Sequence, residues 1–369
     1  MTEGLRICIA TGTRADWGLL VPLAREFRRQ GTEPTVLATY SHLFPEMGHT
    51  IEEIVADGFN PVEIPARMDR IGAVADTVEG FAEYFRNAKP DYVIILGDRF
   101  EMLGVASAAL LTGVKIAHIA GGTTSLGAID DPIRHSISKM ATLHFPETKR
   151  GKEKLVLMGE DPEAITIAGA LGVYNTMHTE MMTVGELGEN LKFELGKRYA
   201  VGTYHPSTVS ETSPQTQIQI WIDGMELAMQ NVPDLKYLLT YPNSDTPPEP
   251  LISLLENFRS RYPERVYLCA SLGRIRYLSA ANGATAVIGN SSSGIVEVPS
   301  TGTPVLDIGH RQKGRERSRA VIHCDLTKEE IGRAIEYAVS PEAKQRALTT
   351  PNPYFKEDTP ALIAERIIR

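Results

Sequence analysis

The chain has 369 residues, enough for two domains, and its 42% hydrophobic and 23% charged residues are values typical of globular proteins. The formal charge of −8 argues against a dedicated nucleic-acid binder, because such a domain normally carries a basic face. No stretch approaches the run of about 18 apolar residues that a membrane-spanning helix needs, so we expect no membrane partner.

Short β-rich runs alternate with helical patterns through the first half of the chain. We predict strands at residues 6–12, 35–39, 59–64, 91–97, 115–121 and 164–169. We predict helices at about residues 17–29, 73–87, 100–112 and 132–142. Near-continuous apolar strands separated by helices are typical of a parallel sheet covered on both faces.

A second series of the same kind follows. Strands are predicted at residues 199–206, 235–242, 285–290 and 303–309, with helices at about 215–232 and 249–262. This pattern predicts a second doubly wound sheet, smaller than the first.

The predicted fold class is therefore α/β, with two Rossmann-like doubly wound domains and an interdomain cleft. We place the N-terminal domain at residues 1–172 and the C-terminal domain at residues 173–354. A C-terminal helix at about residues 355–369 is expected to pack back on the first domain. Ligands of such sheets bind beyond the carboxyl ends of the strands, so the residues after each strand are the candidate site.

Cysteine usage bears on location. Cys8, Cys269 and Cys324 are widely separated and odd in number, which is typical of reduced intracellular thiols. We therefore expect a cytoplasmic protein.

Charged residues follow two strands of the first half. The turn TGTRAD after the first strand offers backbone N–H groups and Arg14 to an anion. A simple turn in which Asp16 caps the next helix explains the same residues. Asp98 follows the strand at residues 91–97, where either acid–base chemistry or helix capping accounts for an aspartate.

The stretch HIAGGTTSLGAIDDPIRH places Asp130 and Asp131 just before a predicted helix that contains Arg134. The helix dipole favours carboxylates at this position, and Arg134 one turn later makes an ordinary helix pair. Alternatively the two carboxylates form an acid–base couple, because neighbouring acids perturb each other's protonation.

In the second half, IGNSSSGIVE carries the strongest local pattern. Ser292, Ser293 and Gly294 open a helix directly after a strand, and their exposed N–H groups suit a phosphate or diphosphate. Glu297, one turn later, suits ribose hydroxyls. A serine-rich helix cap without a ligand is the alternative.

Two further residues point to the same ligand. His205 ends a predicted strand, where it could serve a phosphate or the reaction centre, or be a loop histidine satisfied by the backbone. Arg311 belongs to the basic run GHRQKGRERSR, which is either a solvated loop or one that closes over an anion. The sequence has no Walker loop, GxGxxG, CxxC or HExxH motif, so we predict no metal and no cofactor.

Taken in order, several segments closely resemble the hydrolysing UDP-N-acetylglucosamine 2-epimerases, including those of sialic-acid pathways. The segments are TGTRADWGLL, GDRFEML, HIAGGTTSLGAIDDPIRHSISKM, TYHPST, YPNSD and VIGNSSSGIVEVPSTGTPVLDIGHRQKGRERS. The resemblance implies a glycosyltransferase-B-like fold, release of UDP and free N-acetylmannosamine, no metal or nicotinamide, and a homodimer or homotetramer.

The resemblance also implies roles for individual residues. It assigns the acid–base chemistry to Asp98, Asp130 and Asp131, oriented by Arg134. It places His205 near the phosphates or the sugar. Contacts to the diphosphate or the ribose are implied for Arg14, Ser292, Ser293, Gly294 and Glu297.

This chain departs from the family pattern at one place. The family usually reads HIxGGE, with a glutamate after the glycines and sometimes one before them, whereas this chain has Thr123 and Ala120 there. Neither side chain accepts a proton from carbon at neutral pH. Three hypotheses follow: a 2-epimerase, an enzyme that only hydrolyses or transfers at C1, and a non-catalytic binder.

Overall fold

The structure is a computed structural model, and it describes residues 4–124, 129–207, 211–242 and 249–369. Its internal contacts divide the chain into two compact units. Unit 1 comprises Met1–Asn175 and Lys356–Arg369, and unit 2 comprises Thr176–Phe355. Among the helices that are described, none has both the length and the apolar character to cross a membrane.

Unit 1 is built on a parallel sheet with strand order β3-β2-β1-β4-β5-β6. The strands are β1 (Ile7–Thr11), β2 (Thr35–Thr39), β3 (Val62–Ile64), β4 (Tyr92–Leu96), β5 (Lys115–Ile119) and β6 (Leu143–Phe145). The helices, as far as the boundary of the unit, are α1 (Arg14–Arg29), α2 (Ile51–Ala56), α3 (Arg70–Ala88), α4 (Phe100–Thr112), α5 (Asp130–Met140), α6 (Lys149–Leu157) and α7 (Leu171–His178). The first five predicted strands and the four predicted helices of this half are confirmed, with ends shifted by a few residues.

The predicted strand at residues 164–169 is wrong, and β6 takes its place at the sheet edge. Ile165 forms only an isolated parallel bridge with His144. Thr166 N donates to His144 O at 2.9 Å and Ala168 N donates to Pro146 O at 3.0 Å. Pro146 has no N–H group to donate in return, so the ladder cannot extend at this point.

Unit 2 is built on a second parallel sheet, with strand order β12-β11-β10-β7-β8-β9. The strands are β7 (Arg198–Thr203), β8 (Leu235–Thr240), β9 (Val266–Cys269), β10 (Ala286–Gly289), β11 (Val305–Ile308) and β12 (Ile322–Cys324). The helices are α8 (Val184–Leu191), α9 (Pro214–Asn231), α10 (Glu249–Arg261), α11 (Gly273–Gly283), α12 (Ser292–Val296), α13 (Lys328–Ala338) and α14 (Pro341–Thr349). The expectation of a smaller sheet is wrong, because the short edge strands β9 and β12 bring it to six strands, as in unit 1.

A last helix, α15 (Thr359–Ile368), returns the chain to unit 1. Its Ile363 and Ile367 join the core on the α1 side of the sheet, together with Ile7 and Ile9 of β1. The intervening β1 residues face the other core, where α3, α4 and α5 pack. The sheet of unit 1 is therefore covered on both faces, as a parallel sheet requires.

Both sheets have the same switch point. The strand order reverses between β1 and β4 in unit 1, and between β7 and β10 in unit 2. The loops leaving two such strands diverge to opposite faces and open a crevice at their carboxyl ends. Each unit therefore presents one crevice where ligand-binding residues are expected.

A buried histidine positions the loop after β4. His118 of β5 is fully buried, and its Nε2 lies 2.8 Å from Gly97 O while its Nδ1 lies 3.1 Å from Ser138 Oγ. Burial lowers the pKa of His118 to about 4, because the charged imidazolium would lose its hydration. The neutral ring thus holds the residue directly before Asp98 against α5.

We predict that the neutral state of His118 makes unit 1 sensitive to acid. The pKa of a histidine is 6.5 in the unfolded reference and about 4 for His118 in the folded protein. Above pH 6.5 the imidazole is neutral in both states, and the free energy of unfolding is at its highest. As the pH falls from 6.5 towards 4, only the unfolded chain binds the proton, so the free energy of unfolding decreases. Between pH 7.5 and 5 the loss is about 2 kcal/mol.

The measurement is denaturant unfolding of the parent and of a His118→Gln variant, both in a Trp221→Phe background. Trp17 is then the single tryptophan, and it reports unit 1. Other titrating groups cancel in the difference between the two proteins. The free-energy difference should shift by about 2 kcal/mol over this range, and a pH-independent difference would contradict the prediction.

Candidate functional site

The centre of the unit 1 crevice is an ion pair between Asp98 and Arg134. Asp98 lies two residues beyond β4, and its Oδ2 pairs with Arg134 Nη2 of α5. Arg134 is only 5% exposed, and its Nη1 donates to Thr123 O at 2.7 Å. The N-cap of α4 is Arg99, so the alternative that Asp98 caps this helix is wrong.

The neighbouring carboxylates lie in the first turn of α5, which starts at Asp130. Asp130 is exposed, and Asp131 Oδ2 lies 3.5 Å from Nε2 of His135, one turn along the helix. Burial lowers the pKa of His135. Arg134 pairs with Asp98, and the alternative of an ordinary helix pair with Asp130 or Asp131 stays a prediction.

A second group of charges lies at this crevice, and the sequence does not predict it. Arg99 Nε lies 2.5 Å from Glu101 Oε1 and 3.6 Å from Asp16 Oδ2. Glu101 is fully buried, and its Oε2 has no hydrogen-bond partner among the residues that are described. Burial raises the pKa of Asp16 to about 6, against the opposing effects of Arg99 and Thr13. The motif GDRFE contains two of these residues, but no spacing predicts that Asp16 joins them.

The turn after β1 has a different helix cap from the one that the sequence suggests. Thr13, not Asp16, is the N-cap of α1, and its Oγ1 accepts from Asp16 N at 3.3 Å. Gly12 is required there, because a Cβ would lie 2.3 Å from Glu101 Oε1. Arg14 is exposed and pairs with Glu53 at 3.0 Å, so the structure does not bring it to Asp98.

The turn after β5 carries Thr123, where the resembling family usually has a glutamate, and Ala120, where it sometimes has one. Ala120 adopts a left-handed conformation with φ +62°, and Gly122 has φ +76°. A Cβ on Gly122 would lie 2.3 Å from Gly151 O, so the second glycine allows two backbone segments to approach. Thr123 contributes its carbonyl oxygen to Arg134, and this contact does not depend on its side chain.

Asn290 organises the crevice of unit 2. It follows β10, it is 3% exposed, and its side chain accepts from His205 N at 2.7 Å and donates to His205 O at 2.8 Å. Its own carbonyl accepts from Arg311 Nη1 at 3.3 Å and from Gln312 Nε2 at 2.8 Å. The structure thus brings together His205 and Arg311 through Asn290, which the sequence indicates only as the end of a strand.

The serine-rich helix α12 begins two residues after Asn290. Ser292 is exposed, Ser293 is half-buried and Gly294 is buried, with Ser291 as the N-cap. A small cleft lies at the carboxyl ends of the central strands of unit 2. Its lining includes Thr203, Tyr277, Ser291, Gly294 and Asp307.

Glu297 sits at the end of α12 with an unused acceptor. Burial raises its pKa, while Ser293 and Arg315 favour the charged form. Its Oε2 is buried and accepts no hydrogen bond from any residue that the structure describes. A buried acceptor without a donor is costly, so this oxygen suits a ligand hydroxyl.

Parts of three resembling segments, residues 125–128, 208 and 243–245, lie outside the described residues.

Comparisons with known proteins identify the family of this chain. The family model described as UDP-N-acetylglucosamine 2-epimerase matches residues 25–368. The GDP/UDP-N,N'-diacetylbacillosamine 2-epimerase (hydrolyzing) of Campylobacter jejuni is 35% identical over 92% of this chain and 89% of its own length. The UDP-N,N'-diacetylbacillosamine 2-epimerase (hydrolyzing) of Legionella pneumophila is 33% identical over 88% of this chain and 86% of its own.

Solved structures agree on the fold. The UDP-GlcNAc 2-epimerase from Neisseria meningitidis bound to UDP-GlcNAc matches with a TM-score of 0.78 and 15% identity, over 99% of this chain and 100% of that one. This likeness shows a shared glycosyltransferase-B-like α/β fold. Because the family model covers nearly the whole sequence, and these two relatives are each more than 30% identical to it, the chain belongs to the UDP-N-acetylglucosamine 2-epimerase family.

Proposed function

We propose that this chain is a hydrolysing nucleotide-sugar 2-epimerase. It converts UDP-N-acetylglucosamine, or a close analogue, and water into UDP and the free 2-epimer, which is N-acetylmannosamine for the first substrate. The observation that carries the proposal is Asp98 held at the carboxyl end of β4 by the buried Arg134, in a member of this family. Two relatives are named for UDP-N,N'-diacetylbacillosamine, which makes it the first analogue to test.

Unit 2 is proposed to hold the nucleotide. Ser292, Ser293 and Gly294 suit the diphosphate because they stand at the start of α12, where the helix dipole favours an anion. The N–H of Gly294 donates to Ser291 O at 3.2 Å. The unpaired oxygen of Glu297 suits a ribose hydroxyl. Arg311 and His205, both fixed through Asn290, suit the phosphates, and Arg14 of unit 1 is proposed to add a further positive charge.

The proposed chemistry begins at C1 of the sugar. The bond from C1 to the UDP oxygen breaks with its electron pair leaving on UDP, and positive charge builds on the ring. The C2–H bond becomes acidic, and Asp98 removes that proton to give a glycal. A proton returns to C2 on the opposite face while water adds at C1. The net change is hydrolysis of the bond from C1 to UDP with inversion at C2, without oxidation or reduction, so no redox cofactor or metal is proposed.

Inversion at C2 needs proton-transfer groups on both faces of the ring. We propose that Asp130 or Asp131 serves the second face, since Ala120 and Thr123 offer no acid. Arg134 acts as a positioning residue through its pair with Asp98. General acid–base groups commonly contribute about 10²–10⁴-fold each, so a missing second group would suppress inversion strongly.

That possibility defines a second candidate function. Ala120 and Thr123, at positions where the family usually has glutamates, favour an enzyme that hydrolyses or transfers at C1 without inversion at C2. Proton NMR of the products in heavy water separates the hypotheses. A C2-inverted sugar carrying one deuterium at C2 supports the epimerase. A product that keeps its original C2 hydrogen contradicts it, and tight UDP binding without turnover indicates a binder.

We also propose a homodimer or homotetramer in the cytoplasm. Leu110 and Leu111 at the end of α4 are 54% and 79% exposed, and such apolar surface favours association. The three cysteines are free thiols, which suits a reducing compartment. Light scattering that gives the mass of a single chain at all concentrations would contradict the oligomer.

We predict that Asp98→Asn lowers kcat by about 10²–10⁴-fold and leaves UDP affinity nearly unchanged. Asparagine keeps an acceptor oxygen for Arg134 but cannot take a proton. The matched control is Asp76→Asn, because Asp76 also pairs with an arginine, Arg67, at 2.9 Å but lies outside the crevice. Circular dichroism confirms folding of both proteins. Equal activity of the two variants would rule out a proton-transfer role for Asp98.

We predict that Ser292→Ala, which keeps the backbone N–H but removes a hydroxyl that we propose also donates to the diphosphate, weakens UDP binding by about tenfold, the usual value of one hydrogen bond to a charged group. Its kcat at saturation should change little. The control is Ser213→Ala, which removes the N-cap of α9 in the same unit. Calorimetric titration with UDP measures both variants. The prediction fails if Ser292→Ala binds UDP as tightly as Ser213→Ala does.

We predict that Thr123→Glu raises the rate of deuterium incorporation at C2 by about tenfold or more over Thr123→Gln. The two variants have nearly the same size, and the backbone contact of residue 123 with Arg134 is available to both. The comparison thus isolates the effect of a carboxylate at this position. Equal rates would show that the crevice does not use an acid there.

A further inference from the structure

We propose that His310, His323 and Asp325 of unit 2 bind a divalent transition-metal ion, for which Zn²⁺ is the probe. The three side chains are exposed and lie at neighbouring strand ends. His310 follows β11, His323 lies in β12, and Asp325 directly follows β12. The ion takes no part in the reaction proposed above, and the inference does not depend on that proposal.

The ligand atoms already lie close together. One nitrogen or oxygen from each of the three side chains lies within 4.8 Å of the other two, and His310 Nε2 is 3.5 Å from Asp325 Oδ1. Ligands of a tetrahedral zinc ion, at about 2.0 to 2.1 Å from the metal, are about 3.3 Å apart. The exposed side chains can close the remaining difference by small rotations.

A buried carboxylate behind His323 is the second observation that points to a metal. Asp307 is 1% exposed, and His323 Nδ1 lies 3.1 Å from its carbonyl oxygen and 3.4 Å from its Oδ2. Asp307 Oδ2 is ion-paired with Arg317, but in the part of the chain that is described neither carboxylate oxygen of Asp307 accepts a hydrogen bond of good geometry. Histidine ligands commonly donate Nδ1–H to such oxygens, which leaves Nε2 for the metal.

The sheet fixes this relation between the residues. β11 and β12 are parallel neighbours, with Asp307 opposite His323 and Ile308 opposite Cys324. His310 and Asp325 therefore leave the same edge of the sheet, one from each strand. Backbone pairing, rather than side-chain packing alone, brings the three ligands together.

The ligand types select the kind of ion. Two imidazoles and one carboxylate suit Zn²⁺, Ni²⁺ or Cu²⁺, whereas Mg²⁺ and Ca²⁺ prefer oxygen ligands. Arg317 Nη1 lies 3.1 Å from Asp307 Oδ2 and offsets one of the two negative charges at the site. Three protein ligands leave a coordination position for water.

The test is zinc binding by the full-length, tag-free protein after chelator treatment, measured by competition with a chromophoric chelator. No substrate is present, so failure here is distinct from failure of the proposed enzymatic function. Wild-type protein should bind one Zn²⁺ per chain at this site. His323→Ala and Asp325→Asn should each bind it at least tenfold more weakly, and millimolar Mg²⁺ should not compete.

The matched control is His49→Ala. His49 is exposed and lies 3.8 Å from Glu52, but no second histidine accompanies that pair. This variant should bind Zn²⁺ as tightly as the wild type. Asp307→Asn keeps all three ligands and should bind about tenfold more weakly. Wild-type affinity no greater than that of His323→Ala would overturn the proposal.

Cobalt substitution adds a readout that reports geometry. Co²⁺ bound with four-coordinate geometry gives intense visible absorption, and this signal should appear in the wild type and in His49→Ala. It should be lost in His310→Ala and His323→Ala. Retention of the signal in these two variants would show that cobalt binds elsewhere.

Discussion

The burial of Arg134 constrains the crevice of unit 1. A guanidinium stays charged at any physiological pH, so a side chain that is 5% exposed must meet negative partners. Asp98 and the carbonyl of Thr123 meet it, and they come from the ends of two neighbouring strands. Leaving such a charge without its partner costs about 3 to 5 kcal/mol. The need of the buried guanidinium for a partner thus fixes the position of Asp98.

Other buried groups support this pair. His118 stays neutral and holds the carbonyl of Gly97, the residue before Asp98, while the next residue, Arg99, is held by Glu101. The loop after β4 is therefore fixed on both sides of Asp98. In unit 2, Asn290 has the corresponding task, because its amide holds both backbone polar groups of His205. In both crevices, the loops that carry the site residues are held in place by polar side chains that do not have to touch the substrate.

Much of the fold could be predicted from the sequence, because long elements carry strong local patterns. Helix α4 has the predicted bounds, since Gly113 beyond its end adopts a left-handed conformation and stops it. The edge strands β6, β9 and β12 have three or four residues each, too few to show periodicity. The error at residues 164–169 has a similar origin, because an apolar run does not reveal that its partner is a proline.

The site could be located but not assembled from the sequence. Residues after parallel strands meet at one edge of the sheet, which is why Asp98, His205 and Ser292 could be singled out. The partner of Asp98 lies 36 residues away, and Asp16 joins Arg99 and Glu101 only through the fold. The metal-ligand cluster also follows no sequence motif, because strand pairing places His323 beside His310.

The most direct test of the central claim is a crystal structure of the Asp98→Asn variant soaked with UDP-N-acetylglucosamine. The substitution slows turnover and preserves the bound sugar. We expect the side chain of residue 98 to lie within about 3.5 Å of C2, the distance needed for proton transfer. A bound sugar whose C2 is beyond the reach of residue 98 would contradict the role assigned to Asp98.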